Sequence, residues 1–262
     1  MNAEARAILD QLVPVLQRAQ HVVVLTGAGI SAESGLPTFR DSMTGLWAKY
    51  RPEELGTPQA FRQNPRLVWE WFAWRRQLVQ GVAPNPAHQA LAMLEHYIPN
   101  LTILTQNVDG LHQRAGSTRV IELHGNLARF KCFEEDEPVA ALPITEETPP
   151  RCPRCGGFLR PDVVWFGERL PEQDLNYALI AAKQSDLFFS IGTSGTVEPA
   201  ASLPYRALDR GATVVMSNLE VPNRATPPLY YLNGRAGVVL PELLQRAWPT
   251  PIEHKAVSNQ DA

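Results

Sequence analysis

His124 is the residue best placed to move a proton. It ends an apolar run, residues 119–123, and is followed by Gly125. A neutral imidazole there can accept a proton near pH 7, because its unperturbed pKa lies close by. Gln106, Asn107 and Asp109 stand where another apolar run, 101–106, gives way to Gly110, Leu111 and His112. Short polar side chains at such a junction serve either turn capping or contact with a ligand. A third set, Gly27, Ala28, Gly29, Ile30, Ser31 and Ala32, follows the β-branched run 22–26 and fits G-x-G-x-x-G/A, the pattern that lets backbone N–H groups approach a pyrophosphate.

The chain then passes through Gly35, Pro37, Phe39, Arg40 and Asp41, a helix-breaking and charged segment. It reads as a loop over a bound nucleotide. A redox dinucleotide site would instead run into a helix and a second strand, with an acidic ribose ligand roughly 20 residues on. Two more apolar runs end in small polar groups: 186–191 leads to Gly192, Thr193 and Ser194, and 212–217 to Asn218, Leu219 and Glu220. In open α/β sheets ligands bind beyond the carboxyl ends of the strands, so these segments can line one crevice.

The three cysteines offer separate chemistry. Cys132-x2-Glu135-x16-Cys152-x2-Cys155 follows the spacing of a zinc ribbon with a carboxylate in one thiolate position. Asp and Glu are permitted zinc ligands, so a structural tetrahedral site is one reading. A ribbon held by its own packing is the other.

Positioning these groups falls to an α/β architecture. Ala5, Ile8, Leu9, Leu12 and Leu16 have helical spacing, and apolar runs at 22–26, 101–106, 119–123, 186–191, 212–217 and 237–240 read as strands. Helices are expected over 87–97, 172–184, 199–209 and 241–247, giving a Rossmann-like, doubly wound parallel sheet. Residues 1–41, 84–127 and 161–249 would form this domain. A helical insertion at 42–83 and a zinc-ribbon-like insertion at 128–160 would form a smaller module, and 250–262 a frayed polar tail.

With 262 residues, 44% hydrophobic and 19% charged, the chain can bury a large core. A formal charge of −3 argues against a dedicated nucleic-acid or anionic-membrane binder, each of which needs a basic surface. The sequence shows no apolar run long enough to span a bilayer and no signal-peptide core, and three cysteines suit a reducing compartment, so the cytoplasm is expected.

In order and spacing, GAGISAESGLPTFRD at 27–41, TQNVDGLH at 105–112, His124-Gly125, residues 164–168, Gly192-Thr193-Ser194 and Asn218-Leu219-Glu220 resemble the sirtuins, the NAD-dependent protein lysine deacylases. The resemblance spans roughly residues 5–248, and residues 44–47 and 69–76 look like the bacterial and mitochondrial branch associated with acidic acyl groups. It implies NAD as co-substrate and acyl-lysine proteins or peptides as partners. Nicotinamide would leave as the acyl carbonyl oxygen attacks the ribose, and His124 would deprotonate a ribose hydroxyl. Lysine, nicotinamide and O-acyl-ADP-ribose would be the products. The same first step serves protein mono-ADP-ribosyltransfer, and a non-catalytic NAD-sensing module is the rival from another class.

The resemblance also implies roles for single residues. The cofactor contacts are Gly27, Ala28, Gly29, Ser31, Ala32, Phe39 and Arg40; Gln106 at the ribose; Asn107 ordering the reaction pocket; Asp109 at the nicotinamide carboxamide; and Gly192, Thr193, Ser194, Asn218, Leu219, Glu220 and Ala236 on the adenosine half. Asn107 joins His124 as a catalytic residue. Val164, Phe166, Gly167 and Glu168 would form an extended strip that pairs with substrate main chain. In the acidic-acyl branch a Tyr-x-x-Arg pair meets the acyl carboxylate; here Phe72 replaces the Tyr and Arg75 remains, so the carboxylate loses one donor.

Overall fold

The computed structural model describes residues 1–38 and 49–250. Helix α1 (Ala3–Arg18) is capped by Asn2, whose side chain accepts the Ala5 N–H, and it buries Ala5, Ile8, Leu9, Leu12 and Leu16 along one stripe. Strand β1 (His21–Thr26) turns through α2 (Ala28–Ser31). Beyond the undescribed residues come α3 (Pro52–Leu55), α4 (Pro58–Gln63) and α5 (Pro65–Gln80), and α6 (Pro86–Leu94) then leads to β2 (Asn100–Thr105). Next follow α7 (Leu111–Arg114) and β3 (Val120–Glu122), then three strands, β4 (Gly125–Cys132), β5 (Pro138–Val139) and β6 (Leu159–Val163). Helix α8 (Glu172–Gln184), β7 (Leu187–Ile191), α9 (Leu203–Leu208), β8 (Thr213–Asn218), β9 (Arg224–Thr226), β10 (Leu229–Asn233) and α10 (Ala236–Ala247) complete the chain.

Seven strands form one sheet in the order β3-β2-β1-β7-β8-β10-β9, with every neighbouring pair parallel except β10 and β9. Counting only the parallel strands in chain order gives 3-2-1-4-5-6, the doubly wound dinucleotide-binding order. Its switch point falls between β1 and β7. Alternate residues of β1 feed two cores. Val22 and Val24 pack with Ile8, Leu12, Leu91 and Leu240 from α1, α6 and α10; Val23 and Leu25 pack with Ala178, Ala182, Leu203 and Ala207 from α8 and α9.

Residues 237–240 are not a strand. They open α10, whose buried residues Ala236, Val239, Leu240, Leu243, Leu244 and Ala247 recur at helical spacing, while Val238 between them is exposed. A four-residue apolar window cannot show that period. The sixth parallel strand is β10, where two tyrosines among leucines hide the pattern.

A second, antiparallel sheet has the order β5-β4-β6. Against it lie α4 and α5, through Phe61 with Phe133 (centroids 4.8 Å apart), Trp69 with Phe130 (5.6 Å) and Phe72 with Trp165 (5.9 Å, stacked). Such ring pairs add about 0.5–1.5 kcal/mol each beyond the area they bury.

Candidate active site

At the switch point the turns that follow β1 and β7 pack directly on each other. Gly29 N donates to Gly192 O at 2.9 Å, and Gly27 N to Ile191 O at 3.1 Å. A Cβ on Gly27 would lie 2.8 Å from Gly192 O, and one on Gly29 2.7 Å from Gly192 Cα. Gly192 itself has φ 61°, in the left-handed region. The glycines are therefore required by the contact between two turns, a reason the G-x-G spacing alone does not reveal.

The β2 end supplies a polar network. Asn107 is 8% exposed; its Nδ2 donates to Gly27 O and to Ser31 Oγ, each at 3.1 Å. Ser31 Oγ in turn donates to Asp109 Oδ2 at 2.8 Å, while Asp109 Oδ1 accepts the Leu111 N–H at 2.9 Å. Burial raises the Asp109 pKa, and these two hydrogen bonds oppose the rise. Beneath, Thr26 Oγ1 donates to Thr105 Oγ1 and lies 2.9 Å from His112 Nε2. With its own proton committed to Thr105, the Thr26 oxygen accepts from His112 Nε2–H. His112 Nδ1 is then a buried lone pair, without a partner among the described residues. The His112 ring stands 4.9 Å from that of His88, and burial drives both pKa values down, to about 3 for His112 and about 4 for His88.

His124 sits in the tight turn between β3 and β4, where the large sheet meets the small one. Gly125 is obligatory there, with φ 78° and a hypothetical Cβ only 2.1 Å from Asp162 O. The His124 Nδ1 lies 2.9 Å from the carbonyl oxygen of Gln106. A carbonyl can only accept, so Nδ1 carries the proton and Nε2 keeps its lone pair. Burial lowers the His124 pKa below its ordinary value and the Gln106 contact works against that. Half-buried and neutral at pH 7, His124 keeps an Nε2 lone pair that can accept a proton.

Further along the sheet, Asn218 Nδ2 donates to Thr193 O at 2.8 Å and ties the β7 and β8 turns together. Ser194, Leu219 and Glu220 are exposed beside them, and Ala236 is buried at the start of α10. Glu33 Oε1 accepts the Gly237 N–H at 2.8 Å, which joins the segment after Ala28 and Ala32 to that same helix end.

Residues 164–168 run beside His124. Val164 N donates to His124 O and Phe166 N to Gly56 O, while Trp165 N donates to Glu168 Oε2 at 2.8 Å. The N–H groups of 164, 165 and 166 are thus committed within the protein, and pairing with a peptide falls to the carbonyls and to the Gly167 end. Glu168 is gripped by the buried Arg160, through Nη1 at 2.5 Å and Nη2 at 2.9 Å, with the guanidinium 3.3 Å from the centre of the Trp165 ring. Phe166 is exposed, whereas Phe72 is buried against Trp165. Arg75 is half-buried over Trp71; burial brings its pKa down to about 10, with Asp109 opposing, so it stays charged. Phe39 and Arg40 lie outside the described residues.

A model of the Sir2 family matches residues 27–199. The chain belongs to the Sir2 family. This Sir2 protein is 51% identical to a Pseudomonas aeruginosa protein named NAD-dependent protein deacylase 1, over 91% of its own length and 98% of the other's. It is 48% identical to the NAD-dependent protein deacylase of Pyrococcus furiosus, over 91% and 97%. Its fold is similar to the crystal structure of a Sir2 homologue–NAD complex, with TM-score 0.81 and 43% identity over 91% of this chain and 93% of that one. It is also similar to a Sir2 protein bound to a myristoylated histone peptide, with TM-score 0.71 and 35% identity over 92% and 97%.

The metal ligand set of this Sir2 protein is gathered at the tip of the small sheet. One ligand atom from each of Cys132, Glu135, Cys152 and Cys155 lies within 4.8 Å of the others. The Cys132 and Cys155 sulfurs are 3.4 Å apart, near the ~3.8 Å that tetrahedral Zn–S bonds imply. Backbone N–H groups of Glu135 and Gly157 point at those two sulfurs. Three thiols and a carboxylate at this spacing fit zinc. Glu135 has a second suitor, since Arg154 Nε donates to its Oε2 at 3.0 Å and Nη1 and Nη2 donate to Pro138 O and Glu137 O. Strand β4 separates the cluster from His124 by its whole length, roughly 20 Å, so a metal here is structural.

Sequence reasoning left His88, Thr26 and Arg160 unassigned. His112 lay inside a quoted motif without a role. Their common signal is a polar or charged residue within an apolar neighbourhood, which becomes informative only when burial is known.

Proposed function

We propose that this Sir2 protein removes acyl groups from lysine side chains of proteins at the β1–β7 switch point, with His124 as the base. It is an NAD-dependent protein deacylase; NAD supplies the ADP-ribosyl group that accepts the acyl group. Nicotinamide, free lysine and O-acyl-ADP-ribose are the products. The observation that carries the chemistry is the His124–Gln106 contact, because it fixes the tautomer that leaves Nε2 able to take a ribose hydroxyl proton.

The other residues bind and orient. Gly27, Ala28, Gly29 and Ala32, with Gly192, Thr193 and Ser194, line the path of the phosphates, and Asn218, Leu219, Glu220 and the Ala236 backbone hold the adenosine end. Gln106 contacts the ribose. Ser31, Asn107 and Asp109 shape the nicotinamide pocket as one hydrogen-bonded unit, with Phe39 and Arg40 completing the cofactor site. The peptide lies along Val164, Phe166 and Gly167, and Glu168, clamped by Arg160, holds that strip in place. The acyl chain meets α5, where Arg75 offers a charged donor to a carboxylate and Phe72 offers only apolar surface. Zinc, where bound by Cys132, Cys152, Cys155 and Glu135, staples the small sheet.

We assign the protein to the cytoplasm because three cysteines gathered in one ligand cluster suit a reducing compartment; the described residues contain no helix long and apolar enough to cross a membrane. A panel of acetyl, succinyl, malonyl and long-chain acyl peptides with NAD tests the function. One O-acyl-ADP-ribose per nicotinamide is expected, and ADP-ribose on protein instead would move the reading to ADP-ribosyltransfer.

A further inference from the structure

Arg114 joins the floor of the NAD crevice to the helix that faces the acyl chain. It closes α7, a short helix anchored at its start by the Asp109 Oδ1 cap on Leu111 N and held from below by buried Leu111 and by His112 on Thr26. From this fixed base the guanidinium reaches across to the last turn of α5 and to the crossover just beyond it. Nη1 donates to Val79 O at 3.0 Å and Nη2 to Val82 O at 2.5 Å. A cation on the final carbonyls of a helix makes charge-assisted hydrogen bonds and meets the negative end of the helix dipole. Three residues on, Asn85 Nδ2 donates to Ile30 O at 2.7 Å and to Ser34 Oγ at 3.1 Å. The crossover from α5 to α6 is therefore clamped twice, once to the Asp109 loop and once to the segment after β1. The first half of the same helix is fixed to the small sheet by Trp69 on Phe130 and Phe72 on Trp165.

We propose that Arg114 is a positioning residue for acyl-lysine binding: by fixing the α5–α6 crossover on the Asp109 loop it sets where Phe72 and Arg75 stand relative to the NAD crevice. This role rests on the deacylase reading above. Both guanidinium nitrogens end on backbone carbonyls, those of Val79 and Val82, so Arg114 acts through the placement of α5; its charge also favours the ionised form of Asp109, a contribution that Arg114→Lys retains. Loss of the clamp lets the C-terminal turn of α5 shift, which alters the fit of the acyl chain while the phosphate and adenosine contacts stay as they are.

Steady-state kinetics of wild type, Arg114→Ala, Arg114→Lys and Arg119→Ala test it, with acetyl- and succinyl-lysine peptides and NAD varied separately. Arg119 is a matched control, since its Nη1 likewise donates to a backbone carbonyl, that of Pro99, on another part of the surface. Arg114→Ala should raise KM for the acyl peptides roughly tenfold, the scale of one charged hydrogen bond, with KM for NAD, and nicotinamide exchange at saturating peptide, changed by less than about twofold. Arg114→Lys should recover part of that loss, because an ammonium can still reach one carbonyl. Arg119→Ala should match wild type. A peptide KM within about twofold of wild type in Arg114→Ala overturns the role, and so does a parallel rise in both KM values. A wild-type protein that consumes NAD without forming O-acyl-ADP-ribose overturns the deacylase reading itself, which the kinetic split in the variants cannot do.

Discussion

His124 Nδ1 donates to the Gln106 carbonyl oxygen across 2.9 Å, so one backbone atom at the end of β2 decides which nitrogen of the base is free. The base we propose acts when neutral, and burial holds the His124 pKa below the ordinary histidine value. Deacylation should therefore hold constant across neutral pH and fall as pH drops through that lowered pKa, below about 6.5. A pH profile of kcat/KM measures this; an acid limb centred above pH 7 would show that some other group is the base.

His88 and His112 make a separate contribution to acid sensitivity. Folded, they titrate at about 4 and about 3; unfolded, near 6.5. The unfolded chain binds their protons first, so the stability they confer is full above pH 6.5 and is lost as pH falls towards 4 and then 3. Each should add about 1.4 kcal/mol per pH unit to the slope inside that window. Urea unfolding at several pH values should show the His112→Gln slope reduced by about one proton's worth, and an unchanged slope would place His112 in a hydrated or ionised state.

Glu135 is the weak point of the metal site. A carboxylate is a harder ligand than a thiolate, and Arg154 already holds it. Zinc in the purified protein should be below one equivalent and lost readily to a chelator, whereas Glu135→Cys should bind one equivalent that resists it. Metal analysis before and after chelation decides; tight one-to-one zinc in the wild type, or full retention in Glu135→Ala, would contradict the assignment.

For acyl preference, Arg75 can offer about 1.5–3 kcal/mol to a succinyl or malonyl carboxylate, and Phe72 forfeits a second bond of that class. Desuccinylation should be measurable but no better than deacetylation. Phe72→Tyr should raise succinyl turnover roughly tenfold, or about 1.4 kcal/mol, with little effect on acetyl substrates. Phe72 is only 5% exposed and stacks on Trp165, so the test includes a melting curve to show that the added hydroxyl leaves the variant folded. Arg75→Met should remove most acidic-acyl activity and spare deacetylation. Parallel changes for both substrates would make the two residues structural.

The sheet and its crevice were legible because parallel strands buried on both faces are nearly pure Val, Ile, Leu and Phe, and their ends carry the Gly, Asn, Asp and His that the site needs. Residues 237–240 read as a strand because four residues cover barely one helical turn and cannot show its period. β10 was missed because Tyr230 and Tyr231 break the apolar run. The reason for Gly27 and Gly29 was out of reach for another cause. It lies in Gly192, 163 residues further on by its number relative to Gly29, and contacts between distant turns leave no mark in local spacing. The same holds for Arg114 on α5 and Arg160 on Glu168, which read as solvated charges until the fold brings their partners to them.

The most direct test is product formation by wild type and His124→Ala with an acyl-lysine peptide and NAD, each protein first shown to melt as a folded chain. The wild type should release nicotinamide and form O-acyl-ADP-ribose in equal amounts. The variant should form it at least about 100-fold more slowly, the scale of general-base catalysis. A folded His124→Ala protein that deacylates at near-wild-type rate would contradict the mechanism at its centre.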